Sequence, residues 1–310
     1  MKTWRPDEVF PLRPAIRLPE GLSEEDLFNW LRHVRVEGAP AEIADYCAQD
    51  FRRFLYTLGL VADASTMIPN DRRGDCLELG GNPYFTTLLL KQFTRHEWSI
   101  SNYFGEGHPN GISSQTVDYL EYQPKDQEHA LARSIRLQYH HFNIEVDEFP
   151  FEDGCFDIVL FCEIIEHLLM DPARVLRQIK RILRPSGRLV LTTPNVSRLE
   201  NVARMIAGAN IYDPYSGYGP YGRHNREYNK HELYLLLKHV GFSIEQMFTA
   251  DVHHNDSLNY FDLSALKAAL KFRETDLGQY IFVVAKVDDC GKDKNPSWLY
   301  RSYPPGELSD

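Results

Sequence analysis

Apolar residues recur along this chain in two rhythms, and each change of rhythm marks an element. Ser23-Glu24-Glu25-Asp26 has the form of a capping box opening a short helix through about Val34. Pro40 opens a longer one, in which Ile43, Tyr46, Cys47, Phe51, Phe54, Leu55 and Leu58 recur at helical spacing and Gly59 is the stop. From residue 75 the segment DCLELGG is an apolar run ending on two glycines, the pattern of a buried strand entering a turn. PYFTTLLLKQFT predicts a helix, EWSISNYF a second strand and TVDYLEYQ a short extra one. DQEHALARSIRLQ predicts a helix and HHFNIEV a strand. FDIVLFC is apolar at almost every position, as befits a parallel strand covered on both faces.

IIEHLLMDPARVLRQIKRIL is helical, restarted by Asp171 as cap with Pro172 in its first turn, and RPSGRLVLTTP predicts a turn and a strand. VSRLENVARMIAG predicts a helix capped by Asn195 and stopped by Gly208. NKHELYLLLKHVGF predicts another, opened by Asn229 and closed by Gly241. SIEQMFTAD and QYIFVVAKV are the last two strands. Alternating strands and helices imply crossover connections, hence an α/β fold with a doubly wound, mostly parallel Rossmann-like sheet and an antiparallel last strand. Three segments are expected: an N-terminal arm and helical extension over 1–72, a lid or plain packing; the α/β domain over 73–290; and a tail over 291–310.

Composition narrows the function classes. The 310 residues carry 34 Lys and Arg against 44 Asp and Glu, a formal charge of −10, which repels phosphate chains and argues against a nucleic-acid partner. The five cysteines are scattered without a C-x-x-C pair, as small core residues in a reducing compartment would be. No apolar run is long enough to span a bilayer and no signal-peptide pattern is seen, so a cytoplasmic location without membrane insertion is expected. Self-association stays open.

In such sheets ligands bind beyond the carboxyl ends of the strands. Gly80 and Gly81, lacking a Cβ, let a ligand approach the backbone there, and the following helix offers free N–H groups. A tight turn without ligand fits the same residues. The string from ELGG through EVDEFPFEDGCFDIVLFCEIIEHLLMDPARVLRQIKRILRPSGRLVLTTPN, residues 73–196, resembles the class I S-adenosylmethionine-dependent methyltransferases, of the type 11, ubiquinone-pathway-like group. Hydride-transferring Rossmann enzymes want G-x-G-x-x-G at the first turn, which is missing.

The resemblance implies S-adenosyl-L-methionine as cofactor and a role for each matching position. Glu78 organises the first turn, and Gly80 with Gly81 packs against the cofactor. Asn82 and Tyr84 stand where further glycines are common, so the loop takes another path. Asn102 stands where an acid usually binds the ribose hydroxyls, with Glu106 as a substitute. Glu145 accepts from the adenine amino group, Val146 offers its N–H to the ring, and Cys162 and Glu163 lie under the methionine portion. The departures at Asn82, Tyr84 and Asn102 keep an inactive methyltransferase-like scaffold as the alternative.

Residues 211–228, IYDPYSGYGPYGRHNREY, hold five tyrosines among glycines and prolines and fall in the acceptor-facing region of that family. Tyr218, Tyr221 and Tyr228 suit a sugar or ring, and Arg226 a carboxylate or phosphate. His224, with Glu227 beside it, is a candidate general base, and His167 is either a third catalytic group or a satisfied structural histidine. The expectation is methyl transfer to oxygen of a small-molecule or glycan-linked acceptor. No metal is expected, since His253 and His254 near Asp251 and Asp256 lack a fixed ligand spacing.

Overall fold

A computed structural model of the chain describes residues 13–39, 43–123 and 130–309. The first twelve residues of the expected arm, Pro40 as helix start and residues 126–129 lie outside them. The chain packs as two compact units, residues 15–143 and residues 144–309 with Arg13 and Pro14.

In the first unit Ser23 caps α1 (Glu24–Leu31) through the expected box. Its hydroxyl accepts from the Asp26 N–H at 3.1 Å, and the Asp26 carboxylate accepts from the Ser23 N–H at 2.8 Å. The apolar stripe of α2 (Ile43–Ala64) packs Phe51, Phe54 and Leu55 with Leu27 and Trp30 of α1 into one core. Burying each such side chain contributes about 1.5–3 kcal/mol. The helix runs through Gly59 to Ala64 rather than stopping there.

The strands are β1 (Arg35–Val36), β2 (Asp75–Leu79), β3 (Glu97–Asn102), β4 (Gly111–Leu120) and β5 (Ala132–His141), ordered β1-β4-β5-β3-β2. β2, β3 and β5 run parallel, with α3 (Phe85–Phe93) as the crossover from β2 to β3. β4 pairs antiparallel with β5 over ten residues and with β1. The helix expected over 126–138 is therefore corrected: 132–141 is a strand. Leu137, Tyr139 and His141 are buried while Arg136 and Gln138 are exposed, a period of two that outweighs the helix-favouring Ala, Leu and Arg. The strand expected at 140–146 ends at His141.

In the second unit β6 (Phe156–Cys162) and β7 (Leu183–Pro194) are parallel. β9 (Tyr280–Val287) lies between β7 and β8 (Phe242–Ala250) and is antiparallel to both, as expected of the last strand. It follows that β6, β7 and β8 end on one edge. α4 (Pro172–Ile182) is capped by Asp171, whose carboxylate accepts from the Arg174 N–H at 2.9 Å. The residues before it form a short 3-10 turn, Ile165–His167, so His167 stands outside α4. α5 (Leu199–Ile206) has Arg198, not Asn195, at its cap; Asn195 follows β7 and donates to backbone carbonyls of residues 276 and 278 at 2.7 and 2.8 Å. α6 (Lys230–Val240) is opened by Asn229 and closed by Gly241 at φ 100°, as expected. The α/β, Rossmann-like class expected of the chain holds. Among the described residues, no helix is long and apolar enough to cross a membrane.

Candidate active site

At the end of β2 the chain turns through Gly80 at φ 65° and Tyr84 at φ 70°, with a cis peptide between Asn82 and Pro83. Gly80 is exposed, whereas Gly81 is packed so tightly that a Cβ there would lie 2.6 Å from Ile100 Cγ2. The two glycines thus serve different ends: one opens the backbone, the other lets the turn close on β3.

A chain of hydrogen bonds replaces the glycines that the turn lacks. Asn102 Oδ1 accepts from the Asn82 N–H at 2.9 Å, Asn102 Nδ2 donates to the Tyr84 hydroxyl at 2.9 Å, and that hydroxyl donates to Gln115 Oε1 at 2.9 Å. Tyr84 is fully buried, filling the space below the turn. Both polar ends of Asn102 are thus engaged inside the protein, and Glu106 is exposed. Glu78 is buried and accepts from the Thr87 hydroxyl. Burial drives its carboxyl up to about 7, against the opposing pull of that hydrogen bond, Lys91 and Arg53.

In the second unit Glu145, 2% exposed, gathers the segment before α4. Its carboxylate accepts from the N–H groups of Leu169 at 3.1 Å, of Met170, and of Asp171 at 3.2 Å, and from the Tyr221 hydroxyl at 3.1 Å. Val146 beside it is 54% exposed. Glu163 follows β6 at φ 55°, a left-handed conformation that costs a non-glycine residue about 1–2 kcal/mol. It is held by its N–H donating to the Thr192 carbonyl at 2.9 Å and by the Thr192 hydroxyl donating to Oε1 at 2.7 Å. Cys162 is half-buried, its thiol 4.0 Å from the Val190 carbonyl oxygen.

The tyrosine-rich loop hangs on the 3-10 turn. The N–H groups of Asn225 and Arg226 donate to the Glu166 carbonyl at 2.7 and 3.0 Å, Asn225 Nδ2 donates to the His167 carbonyl at 2.9 Å, and His167 Nδ1 donates to the Arg223 carbonyl at 2.8 Å. Its far end is fastened where the Val196 N–H donates to the Tyr228 carbonyl at 3.0 Å and the buried Lys230 meets Asp276 at 2.9 Å. This brings His224 against His167, ring centroids 5.0 Å apart and edge to face. His224 Nδ1 is 3.0 Å from Glu227 Oε1, and Glu227 also pairs with Arg198. Arg226 pairs with Glu232 rather than with Glu227 and lies over the Tyr228 ring. Tyr228 is itself buried, Tyr221 faces Glu145, and Tyr218 is 82% exposed.

Glu166 is the member of this group that pattern reading passes over. It is fully buried; Oε2 accepts from the Thr193 hydroxyl at 2.9 Å, while Oε1 has no hydrogen-bond partner and lies 3.8 Å from His167 Nε2. Burial, then the charge of Glu163, raises its pKa. Burial, then the charge of His224, lowers that of His167. Burial alone would lower His224 as well, but the Glu227 hydrogen bond and the charge of Glu166 prevail and raise it. The sequence signal for Glu166 is its place in the Glu-His-Leu run of residues 166–168, part of the string that carries the resemblance. His253 and His254 do not converge with carboxylates in this way: among the described residues, Glu166, His167 and His224 are the group whose ligand atoms lie within 4.8 Å of one another.

A cavity of about 810 Å³ opens beside the end of β8, lined by Leu199, Leu263 and Leu277 with Asp251 and Lys267 at its polar margin.

Residues 29–247 match the model of a methyltransferase domain. A probable S-adenosylmethionine-dependent methyltransferase of Mycolicibacterium smegmatis is 32% identical over 51% of this chain and 56% of its own. One of Mycobacterium tuberculosis with the same description is 32% identical over 44% of this chain and 46% of its own. A ubiquinone biosynthesis O-methyltransferase of Aeromonas salmonicida is 30% identical over 44% of this chain and 54% of its own. The chain thus spans about half the length of these relatives.

Proposed function

The chain belongs to the methyltransferase domain family, and from that premise we propose that it transfers a methyl group from S-adenosyl-L-methionine to an oxygen of a small-molecule or glycan-linked acceptor. The observation that best supports the oxygen is the cluster of His167, His224, Glu227 and Glu166, assembled on the second unit by a loop more than fifty residues away in sequence. A hydroxyl must lose its proton to attack carbon, whereas a neutral amine can attack through its own lone pair, so a site of imidazoles and carboxylates fits the harder acceptor.

The turn at the end of β2 fits its part of the cofactor. Gly80 presents bare backbone there, and α3 begins just beyond it with a positive dipole end. Glu78 holds that turn through Thr87, and Asn102 holds it through the Asn82 N–H. In the second unit, Glu145, Val146, Cys162 and Glu163 are the positions to which the resemblance gives cofactor roles, and the Glu145 carboxylate already accepts four hydrogen bonds there. The bound cofactor supplies an activated methyl on a sulfonium. The protein's work is alignment, exclusion of water and removal of a proton. Glu227, itself fixed by Arg198, holds the His224 ring through Nδ1. Tyr218, Tyr221, Arg226 and Tyr228 belong to the loop that meets the acceptor. The cavity beside β8 has the size of a small-molecule site.

The test is a screen of candidate acceptors with methyl-deuterated cofactor, read by mass spectrometry. Deuterated methyl on a hydroxyl-bearing acceptor supports the proposal. Cofactor binding with labelled product only on nitrogen or carbon overturns the oxygen assignment, and a chain that binds no cofactor overturns the activity.

A further inference from the structure

We propose that Glu166, His167 and His224 form a binding site for one divalent first-row transition cation such as Zn²⁺. Three observations converge. The donors are two imidazoles and a carboxylate, the borderline set that such ions prefer over the all-oxygen sets of Mg²⁺ and Ca²⁺. Their ligand atoms lie within 4.8 Å of one another, and Glu166 Oε1 and His167 Nε2 are already 3.8 Å apart. An ion about 2.1 Å from each needs its donors roughly 3–4 Å from one another, so small side-chain rotations close the site.

The second observation is the orphaned oxygen. Glu166 is 0% exposed, and Oε1 lacks any hydrogen-bond partner although Oε2 has one. Leaving a buried polar atom without a partner is destabilising, and here it lies 3.8 Å from an imidazole nitrogen. A cation bound to Oε1 supplies the partner that this oxygen lacks.

The third is the outer shell. His167 Nδ1 is fixed by the Arg223 carbonyl at 2.8 Å and His224 Nδ1 by Glu227 at 3.0 Å. Metal-binding histidines are oriented in this way, one ring nitrogen on a carbonyl or carboxylate and the other left for the ion. Asn225 braces two of the three ligands, donating to the backbone carbonyls of Glu166 and His167. Three protein ligands leave further positions open. If the acceptor is a hydroxyl, which rests on the function proposed above, its oxygen takes one of them and loses its proton to solvent or a neighbouring base as the ion lowers its pKa.

The experiment uses the full chain stripped with a chelator and dialysed, then titrated with Zn²⁺ by calorimetry and with Co²⁺ by visible absorption. One Zn²⁺ per chain is expected, with Co²⁺ bands showing nitrogen ligation. Glu166→Gln and His224→Ala should each weaken Zn²⁺ by more than the roughly 10–100-fold that loss of an outer-shell partner costs. The double variant His253→Ala/His254→Ala should bind as the parent does. No stoichiometric Zn²⁺ in the parent, unchanged affinity in Glu166→Gln and His224→Ala, or loss of binding in the His253/His254 variant overturns the site. A chain that transfers methyl groups but binds no Zn²⁺ refutes this inference and leaves the proposed function standing.

Discussion

The turn at Gly80–Gly81 and the cluster at Glu166 solve opposite problems. In the turn, the side chains beneath the backbone are matched to one another: Asn102 spans from the Asn82 N–H to Tyr84, Tyr84 to Gln115, and Thr87 to Glu78. In the cluster, the scaffold is just as fully bonded, but it stops short of Glu166 Oε1. A closed network shapes backbone and is read as stability. An open one holds unspent ligand capacity and is read as chemistry. Substitutions in the two regions should therefore separate, the first costing stability and the second activity.

The largest effect is expected at His224. His224→Ala should lower methyl transfer by about 10²–10⁴-fold, the range of a lost proton-handling group. Its melting temperature should stay within about 2 °C of the parent, because the ring is a quarter exposed and its loop remains tied at Asn225 and Tyr228. A large fall in melting temperature with proportionate loss of activity would erase the contrast between the regions.

Next in size is the pH dependence of stability carried by Glu78. Its carboxyl is near 4.5 when unfolded and about 7 when folded, so the folded state binds the proton more tightly. The contribution is full below pH 4.5 and is lost as pH rises through 7, by up to about 3 kcal/mol. Glu78→Gln removes it. Urea unfolding of variant and parent at several pH values should show the difference between them grow in favour of the variant from acid to neutral pH; a constant difference would place the proton elsewhere.

Gly81→Ala should follow at about 1–3 kcal/mol of destabilisation, because its Cβ meets Ile100 on a strand that cannot retreat. Tyr84→Phe should cost about 1–2 kcal/mol, leaving Asn102 Nδ2 and Gln115 Oε1 without their shared hydroxyl. Both are measured by denaturant unfolding, and both should leave Zn²⁺ affinity unchanged.

How much of this was legible varies with the range of the signal. Asp171, Asn229 and Gly241 act within one helical turn of their positions and could be read from the string. β5 could not, because helix-favouring residues overlay an alternation of buried Leu137, Tyr139 and His141. Asn195 looked like a helix cap but serves a contact with residues 276–278, some eighty positions away. The meeting of His224 with Glu166 is of that same kind. It depends on Asn225 finding the 3-10 turn at residues 165–167, and no local pattern records such an encounter.

If this chain holds its methyl donor against the backbone at Gly80, calorimetric titration with S-adenosylhomocysteine must separate the parent from Gly80→Asp. One site per chain is expected in the parent, with at least about a hundredfold weaker binding in the variant, whose circular dichroism matches the parent's. Equal affinity in the two proteins would contradict that placement of the donor.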